Sequence, residues 1–317
     1  MITVNTRSKS LSNPIILDGI ARTGKFFLGK ILCGLEDIEY FQYVSAIEQI
    51  PYLNRLGFID ETAAISLLQV IVDEHCYNMM IGRNINLRFD DGSSVINSLE
   101  PELYNKRSIS IIDREFIIKQ STKRISPFIT HETFPNIEIF FKAFKQLKVI
   151  ALKRHPIDIV HSWLIRGWGN RLENNDLLAF VPLLKNKTLQ FPWYANGWEE
   201  EYYNITETEK IIKCISVLMN FEQDTYNNLN LKNQQKVLVI RYENLVETPE
   251  NEIYRMENFL RKKLSSRMID ILKNEKCPNK ISLKIRNEKM SVISNKASKK
   301  YVNLLLERAD SYESKSH

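Results

Sequence analysis

The sequence of 317 residues lacks the features that mark several protein classes. It has only 10 glycines and 10 prolines and no repeat period, which argues against collagen, solenoids and propellers. Its four cysteines stand far apart and form no CxxC pair, so neither a zinc site nor a disulfide framework is indicated. No apolar run approaches the roughly 18 residues of a membrane span, and the N-terminal segment lacks the apolar core of a signal peptide. We therefore expect a cytoplasmic protein with no membrane span.

The composition that remains is that of an ordinary globular protein. Hydrophobic residues make up 44% and charged residues 26%, which excludes wholesale disorder. Lysine and arginine outnumber aspartate and glutamate by 44 to 38, giving a formal net charge of +6. This surplus suits an anionic ligand but falls short of the dense basic tracts of a dedicated nucleic-acid binder. We expect no nucleic-acid partner, and the sequence does not indicate an oligomeric state.

Short apolar segments predict the centre of the fold. Pro14–Leu17, Leu147–Leu152 and Lys236–Ile240 are each bounded by turn residues and followed by a helical pattern, and Phe128–Thr130 fits a fourth, shorter strand. Nearly continuous apolar, often β-branched runs of this kind are typical of buried parallel strands. A strand, a turn and a helix in repeated order predict an α/β fold with a central parallel sheet flanked by helices.

The segments between these units predict helices and long loops rather than a second domain. Helical periodicity covers Glu61–Met80, Thr206–Leu229, Pro249–Leu260 and Lys296–Arg308, and residues 170–203 are aromatic and loop-like. No stretch has the composition of an interdomain linker. We predict a single domain over 1–317, with an N-terminal tail at 1–12, insertions at 31–125 and 164–235 that shape an acceptor site, and a basic C-terminal segment at 263–317.

A glycine-containing turn joins the first predicted strand to the first helix. Residues 19–25 satisfy G-x-x-x-x-G-K, in which backbone N–H groups and a helix N-terminus cradle phosphate. The next position of a Walker A loop is Ser or Thr, whose hydroxyl holds Mg²⁺, but here it is Phe26. A phenyl ring cannot ligate magnesium, which disfavours an ordinary ATPase or kinase. A simple strand–helix turn whose Arg22 and Lys25 face solvent is the alternative explanation.

A second anion site is indicated where the second long strand ends. Arg154 stands at the end of that strand, the edge at which open α/β sheets bind ligands. Pro156 and Asp158 suit the first turn of the helix that follows. Ser162 lies about two helical turns beyond Arg154, so both side chains can face one phosphate. Alternatively, Arg154 pairs with a carboxylate and Ser162 fills a helix contact.

On these residues the chain resembles the sulfotransferases that use 3′-phosphoadenosine 5′-phosphosulfate (PAPS). Residues 22–26, RTGKF, are similar to that family's K/R-[ST]-G-[ST]-[ST] loop and depart from it at Lys25 and Phe26. Residues 154–162 match R-[ND]-P-x-D-x-x-x-S except at His155, and residues 242–245 are similar to the family's Y-E-[DN]-L element. The three blocks follow the family's order and, with the strands and helices that flank them, cover about a third of the chain.

The resemblance implies a P-loop-like sulfotransferase fold and a nucleotide-binding transferase. The sulfation reaction would move a sulfuryl group from PAPS to an acceptor hydroxyl or amine by in-line displacement, with no metal required. The phosphate loop and the Arg154–Ser162 pocket would hold opposite sides of one nucleotide. The acceptor would be a small molecule or a carbohydrate, and the sequence does not say which. The cofactor-binding residues would be Arg22, Thr23, Gly24, Lys25, Phe26, Phe27, Arg154, Ser162, Tyr242 and Arg286.

The same resemblance implies the catalytic residues. Arg22 and Lys25 would stabilise charge that develops on the leaving nucleotide. The family's base is often a histidine in a T-H-x-P segment, and His131 occupies that place, with an insertion before the proline. Histidine titrates near neutral pH and so can accept a proton in the cell. Some carbohydrate-modifying members use glutamate, so Glu132 remains an alternative base. A P-loop kinase or NTPase, or a catalytically degenerate nucleotide-binding protein, remains the alternative to the whole assignment.

Overall fold

The computed structural model describes residues 4–7, 10–11, 13–172 and 180–314. The strands are β1 (Asn13–Asp18), β2 (Gln42–Tyr43), β3 (Ile125–Ile129), β4 (Lys148–Lys153), β5 (Leu183–Asn186), β6 (Leu189–Pro192) and β7 (Val237–Arg241). The helices are α1 (Lys25–Leu32), α2 (Ser45–Arg55), α3 (Glu61–Ile81), α4 (Pro101–Ile109), α5 (Arg114–Lys123), α6 (Ile137–Ala143), α7 (Pro156–Leu164), α8 (Glu199–Asn204), α9 (Glu207–Asn228), α10 (Leu231–Gln234), α11 (Tyr242–Glu247), α12 (Pro249–Leu260), α13 (Met268–Asn274), α14 (Leu283–Ser294) and α15 (Lys299–Ser314).

A five-stranded sheet with strand order β2-β3-β1-β4-β7 confirms the predicted α/β fold with a central parallel sheet. β1 lies in its middle and pairs in parallel with β3 and β4, so that Ile16 stands opposite both Phe128 and Val149. All three of these side chains are buried, which explains why β1 and β4 have nearly continuous apolar sequences. The fourth strand is confirmed as β3, but it begins earlier than expected, at Ile125.

The described chain forms two compact units, and the first contains this sheet. It comprises residues 4–7, 10–11, 13–19, 24–152 and 229–279. Its core brings apolar side chains of the strands together with α1 and α12, among them Leu17, Leu28, Ile150, Ile240 and Met256. The carboxyl ends of β1 and β3 lie side by side in this unit, because Leu17 is paired with Ile129.

The second unit comprises residues 20–23, 153–172, 180–228 and 280–314. α7 packs there against α9, α14 and α15, and α9 also packs against α15. β5 and β6 form an antiparallel pair within the segment that was expected to be loop-like. The single domain over 1–317, with its tail, insertions and basic C-terminal segment, stays a prediction.

Several helices match the periodicity from which they were predicted. α12 has the predicted bounds, while α3 and α9 each differ by one residue or fewer at either end. The last helix begins three residues later than expected, at Lys299, and continues to Ser314. α4 and α5, within 31–125, were not predicted. None of the described helices is both long enough and apolar enough to cross a membrane.

Candidate functional site

Gly24 is the N-cap residue of α1. Both its backbone conformation and the side chain beside it require a glycine at this position. Its φ of 103° and ψ of 24° lie in the left-handed region, which side-chain-bearing residues rarely adopt. A Cβ atom at this position would lie 2.6 Å from two ring carbons of Tyr242, the first residue of α11. Tyr242, predicted to be a cofactor-binding residue, therefore lies directly against the glycine of the phosphate loop.

The three residues that follow Gly24 make a hydrogen bond or ring contacts with other residues of the first unit. Lys25 is only 3% exposed, and its Nζ donates a hydrogen bond of 2.6 Å to the carbonyl oxygen of Gly19. Phe26 packs edge-on against Phe41, and Phe27 packs edge-on against Tyr242. Both phenyl rings thus serve packing, and of the two residues that replace the family's hydroxyls, Phe26 packs on a ring while Lys25 bonds back to Gly19.

Three arginines meet around the hydroxyl of Ser162 in the second unit. Arg22 Nε and Arg166 Nη1 donate to Ser162 Oγ at 3.2 and 3.0 Å, and Arg154 Nη1 donates to the carbonyl oxygen of Arg22 at 3.0 Å. Partial burial and the like charges of Arg166 and Arg154 lower the pKa of the Arg22 guanidinium. The structure thus brings Arg22 to Ser162 and Arg154 to Arg22, whereas the sequence placed Arg22 in a separate pocket; the roles of all three in cofactor binding stay predictions.

Arg166 is a member of this cluster that the sequence reasoning missed. It lies one helical turn beyond Ser162, just after α7, and also donates to the carbonyl oxygen of Ser162. The four-residue spacing from a serine already assigned to an anion site could have indicated it, because residues at i and i+4 share a helix face. The cluster is partly exposed, so an anion from solvent can reach it.

Thr23 adds a hydroxyl with no partner to the same unit. The residue is 1% exposed, and its Oγ1 makes no hydrogen bond to any residue within the described ranges. A buried hydroxyl left without a partner costs about 1–3 kcal/mol. The backbone beside it is anchored, since Trp163 Nε1 donates to the carbonyl oxygen of Ala21 at 3.0 Å. An oxygen-bearing anion in this loop would supply the partner that Thr23 lacks.

Arg286, predicted to be a cofactor-binding residue, lies against α7. Its Nε and Nη2 donate to Asp158 Oδ2 at 3.2 and 3.1 Å, and Lys289 Nζ donates to Asp158 Oδ1 at 2.5 Å. Burial works to raise the pKa of Asp158, but the bonds and charges of Lys289 and Arg286 outweigh it, so the pKa is lowered. The role of Arg286 in cofactor binding stays a prediction.

His155, the one departure from the second motif, caps the helix that follows. Its Nδ1 accepts a hydrogen bond from the backbone N–H of Ile157 at 3.3 Å, and its Nε2 lies 3.0 Å from Glu313 Oε1. An asparagine or aspartate side chain, which the motif has at this position, caps a helix in the same way. The substitution therefore keeps the local geometry that precedes Ser162.

The segment after β3 is fixed by the buried carboxylate of Asp18. Its Oδ1 accepts from the hydroxyl of Thr130 at 2.6 Å and from the backbone N–H of Thr133 at 3.1 Å, and its Oδ2 accepts from the N–H of Phe134 at 2.9 Å. These bonds tie the end of β1 to the turn that carries His131 and Glu132. The turn needs this support because Glu132 has a positive φ of 51°.

His131 is paired with Glu48, a residue of α2 that the sequence reasoning missed. Glu48 Oε1 lies 2.6 Å from the backbone nitrogen of His131 and 2.8 Å from its Nδ1, and Tyr43 donates to Oε2 at 3.2 Å. Burial raises the pKa of Glu48 to about 8. The His131 side chain is 27% exposed, whereas Glu132 is 8% exposed.

One family model and several solved structures are similar to this chain. The model of the sulfotransferase domain family matches residues 12–308. Curated proteins include no match to the chain. Within the described residues, no group of three or more His, Cys, Asp and Glu side chains could hold a metal ion.

Solved structures that resemble the chain are also sulfotransferases. The sulfotransferase domain from the curacin biosynthetic pathway is 12% identical, with a TM-score of 0.45, and the match covers 83% of this chain and 78% of that one. A sulfotransferase from Alicyclobacillus acidocaldarius is 13% identical, with a TM-score of 0.40, and 96% and 97% are covered. Mouse sulfotransferase SULT7A1, complexed with 3′,5′-adenosine bisphosphate (PAP), is 14% identical, with a TM-score of 0.36, and the match covers 82% of this chain and 64% of that one.

Proposed function

The chain belongs to the sulfotransferase domain family, and we propose that it transfers a sulfuryl group from PAPS to the hydroxyl or amine of an acceptor. The observation that carries this proposal is the arginine cluster in which Arg22 and Arg166 donate to Ser162 Oγ and Arg154 donates to the carbonyl oxygen of Arg22. Guanidinium groups form strong, charge-assisted hydrogen bonds with phosphate oxygens. Burial and the charges of Arg166 and Arg154 lower the pKa of Arg22. Three guanidinium groups so close together favour a ligand with more than one negative charge.

The residues of the loop fit the phosphates of such a nucleotide. PAPS would supply the sulfuryl group and leave as 3′,5′-adenosine bisphosphate (PAP). Arg154 and Ser162 would bind the 3′-phosphate, and residues 22–27 would bind the 5′-phosphosulfate. The unpartnered hydroxyl of Thr23 supports this assignment, because a phosphate or sulfate oxygen would accept its hydrogen bond.

Charge on the leaving group would be stabilised by this chain's cations rather than by a bridging metal. A sulfuryl group carries less negative charge than a phosphoryl group, so arginine, lysine and backbone donors suffice for its transfer. Arg22 would act on the leaving phosphate directly. Lys25 would contribute after sharing or releasing its hydrogen bond to the Gly19 carbonyl.

His131 is the base that the surroundings favour. A base must reach the proton that it removes, and the His131 side chain is more exposed than Glu132. Glu132 is largely buried, and its backbone N–H donates to the carbonyl oxygen of Gly19, so its placement suits support of the turn. The acceptor that meets His131 would be a small molecule or a carbohydrate.

A thermal-shift measurement tests the nucleotide. PAP without magnesium should raise the melting temperature, because a ligand at 100 times its dissociation constant adds about 2.7 kcal/mol of stability. Arg154→Ala should remove most of that shift, whereas Arg88→Ala, a change at an exposed arginine of the other unit, should keep it. A shift with Mg–ATP and none with millimolar PAP would instead support a kinase or NTPase.

A second pair of variants tests the base. His131→Ala should keep the PAP-induced shift and lose sulfuryl transfer from labelled PAPS to a panel of sugars, phenols and amines. Glu132→Gln should keep both. Full turnover by His131→Ala together with loss of turnover by Glu132→Gln would show that glutamate is the base.

A further inference from the structure

Glu48 is a buried carboxylate of the first unit that none of the sequence motifs contains. It is 6% exposed and lies on α2, just after β2. Its Oε1 lies 2.6 Å from the backbone nitrogen of His131 and 2.8 Å from its Nδ1. A backbone N–H can only donate, so Oε1 already acts as an acceptor. The ring contact is then most favourable when Nδ1 also carries a proton and donates it to the same oxygen.

We propose that Glu48 is a positioning residue that fixes the ring orientation and the tautomer of His131. With Nδ1 protonated, Nε2 is the basic nitrogen of the ring. A carboxylate on the far nitrogen has the same effect in the Ser-His-Asp triad, where it orients the imidazole and stabilises the imidazolium. This inference rests on the proposed function for its catalytic meaning, while the pairing itself rests on the two contacts.

The contacts of the neighbouring residues restrict His131 at several further points. Tyr52 and Thr133 both donate to its carbonyl oxygen, at 2.8 and 3.1 Å. The ring of Tyr43 packs edge-on against the imidazole at 5.3 Å, and its hydroxyl donates to the second oxygen of Glu48. The carboxylate of Glu48, the imidazole of His131 and the backbone of His131 are thus all fixed by neighbouring residues. Preorganised catalysis requires such fixed geometry.

The proton balance of the proposed step is simple. The acceptor O–H bond breaks, its proton moves to Nε2, and the acceptor oxygen bonds to sulfur. The bond from sulfur to the phosphate oxygen breaks, and its electron pair leaves with that oxygen. His131 then carries a positive charge next to Glu48 and later releases the proton to water. When Glu48 is ionised, the pair is negative before the step and neutral after it, which burial favours.

The charges around Glu48 tune this exchange. Burial, with a smaller contribution from the charge of Asp18, raises the pKa of Glu48 to about 8, and the N–H of His131, the charge of Lys25 and the hydroxyl of Tyr43 oppose that rise. Glu132 is the remaining carboxylate of the group, and it acts on the neighbouring Tyr52. A carboxyl and an imidazole with similar proton affinities titrate as a pair near neutral pH.

NMR on the wild-type protein tests the pairing without any assumption about activity. Long-range ¹H–¹⁵N spectra, with the His131 signals assigned by their loss in His131→Gln, should show a proton on Nδ1 and none on Nε2 at neutral pH. Glu48→Gln should lower the pKa of His131, because the imidazolium loses its carboxylate. A wild-type His131 protonated on Nε2, or an unchanged pKa in Glu48→Gln, would overturn the proposal.

Kinetics test its catalytic meaning. Glu48→Gln should lower kcat about 10- to 100-fold, leave the KM for PAPS and the PAP-induced shift unchanged, and move the acidic limb of the pH profile to lower pH. The control is Asp73→Asn, which changes another buried carboxylate that accepts a backbone N–H, that of Leu11, and which should keep kcat. Wild-type kcat and pH profile in Glu48→Gln would refute the positioning role. If no acceptor is turned over by the wild type, the proposed function fails, and the NMR result still decides the pairing.

Discussion

The unpartnered hydroxyl of Thr23 leads to a prediction in which stability and ligand binding move in opposite directions. Thr23→Val exchanges the hydroxyl for a methyl group of nearly the same shape. The residue is 1% exposed and its Oγ1 has no hydrogen-bond partner among the described residues, so the change removes a buried polar group and breaks no bond of the empty protein.

The magnitude follows from the two states of that hydroxyl. Leaving a buried donor unsatisfied costs about 1–3 kcal/mol, so Thr23→Val should raise the free energy of unfolding of the empty protein by about 1 kcal/mol. A hydrogen bond to a charged oxygen contributes about 1.5–3 kcal/mol, so the same variant should bind PAPS or PAP at least about 10-fold more weakly.

Urea denaturation in the absence of nucleotide and calorimetric titration with PAP measure the two effects. Thr133→Val is the matched control, because Thr133 is equally buried but its hydroxyl donates to the carbonyl oxygen of His131 at 3.1 Å. The control should be destabilised by about 1 kcal/mol. A loss of stability in Thr23→Val similar to that of the control would refute the reasoning, as would unchanged affinity for PAP.

Two further predictions concern stability. Gly24→Ala should destabilise the protein by about 1–3 kcal/mol more than Gly57→Ala. Both glycines have a positive φ, but only at Gly24 would the new Cβ overlap a side chain, the ring of Tyr242. Equal losses of stability in urea denaturation would contradict this. Asp158→Asn should destabilise by about 2 kcal/mol at neutral pH, since it removes the charge that Arg286 and Lys289 bind. The pKa of Asp158 is lowered in the folded state, so the stabilisation that its charge gives is present above about pH 4 and is lost as the pH falls through the folded-state pKa. Unfolding curves at several pH values should therefore show the stability difference between variant and wild type shrinking below about pH 4.

The parts of the fold that could be predicted from the sequence are those with a clear pattern of apolar residues, either continuous in strands or periodic in helices. β1 and β4 lie inside the sheet, and their apolar runs leave little choice of structure. β2 has two residues and α5 buries only Ile117 and Ser121, so neither has a periodicity that stands out. The β5–β6 pair escaped prediction because its residues are mostly exposed and carry no pattern of burial.

In the candidate site, the two residues that were predicted to face one phosphate lie close together along the chain, whereas two contacts that were missed join residues far apart in it. Arg154 and Ser162 belong to one strand–helix unit, so their spacing alone led to the prediction that they act together, whereas the bond from Arg22 to Ser162 was not predicted. Glu48 lies 83 residues before His131 in the sequence, and nothing near it signals a role. Contacts of that kind depend on how α2 packs in the fold, and one sequence alone does not contain them.

The departures from the family's loop sequence have a physical explanation in the first unit. Lys25 uses its charge within the loop, on the carbonyl of Gly19, and the ring of Phe26 packs against Phe41. The ring of Phe26 cannot give an anion the hydrogen bond of a hydroxyl, and Lys25 would do so only by sharing or releasing its bond to Gly19. The donors for such a ligand lie instead at Thr23 and at the arginines around Ser162. If the proposed function holds, Arg22 and Arg166 would supply the positive charge that binds the anion.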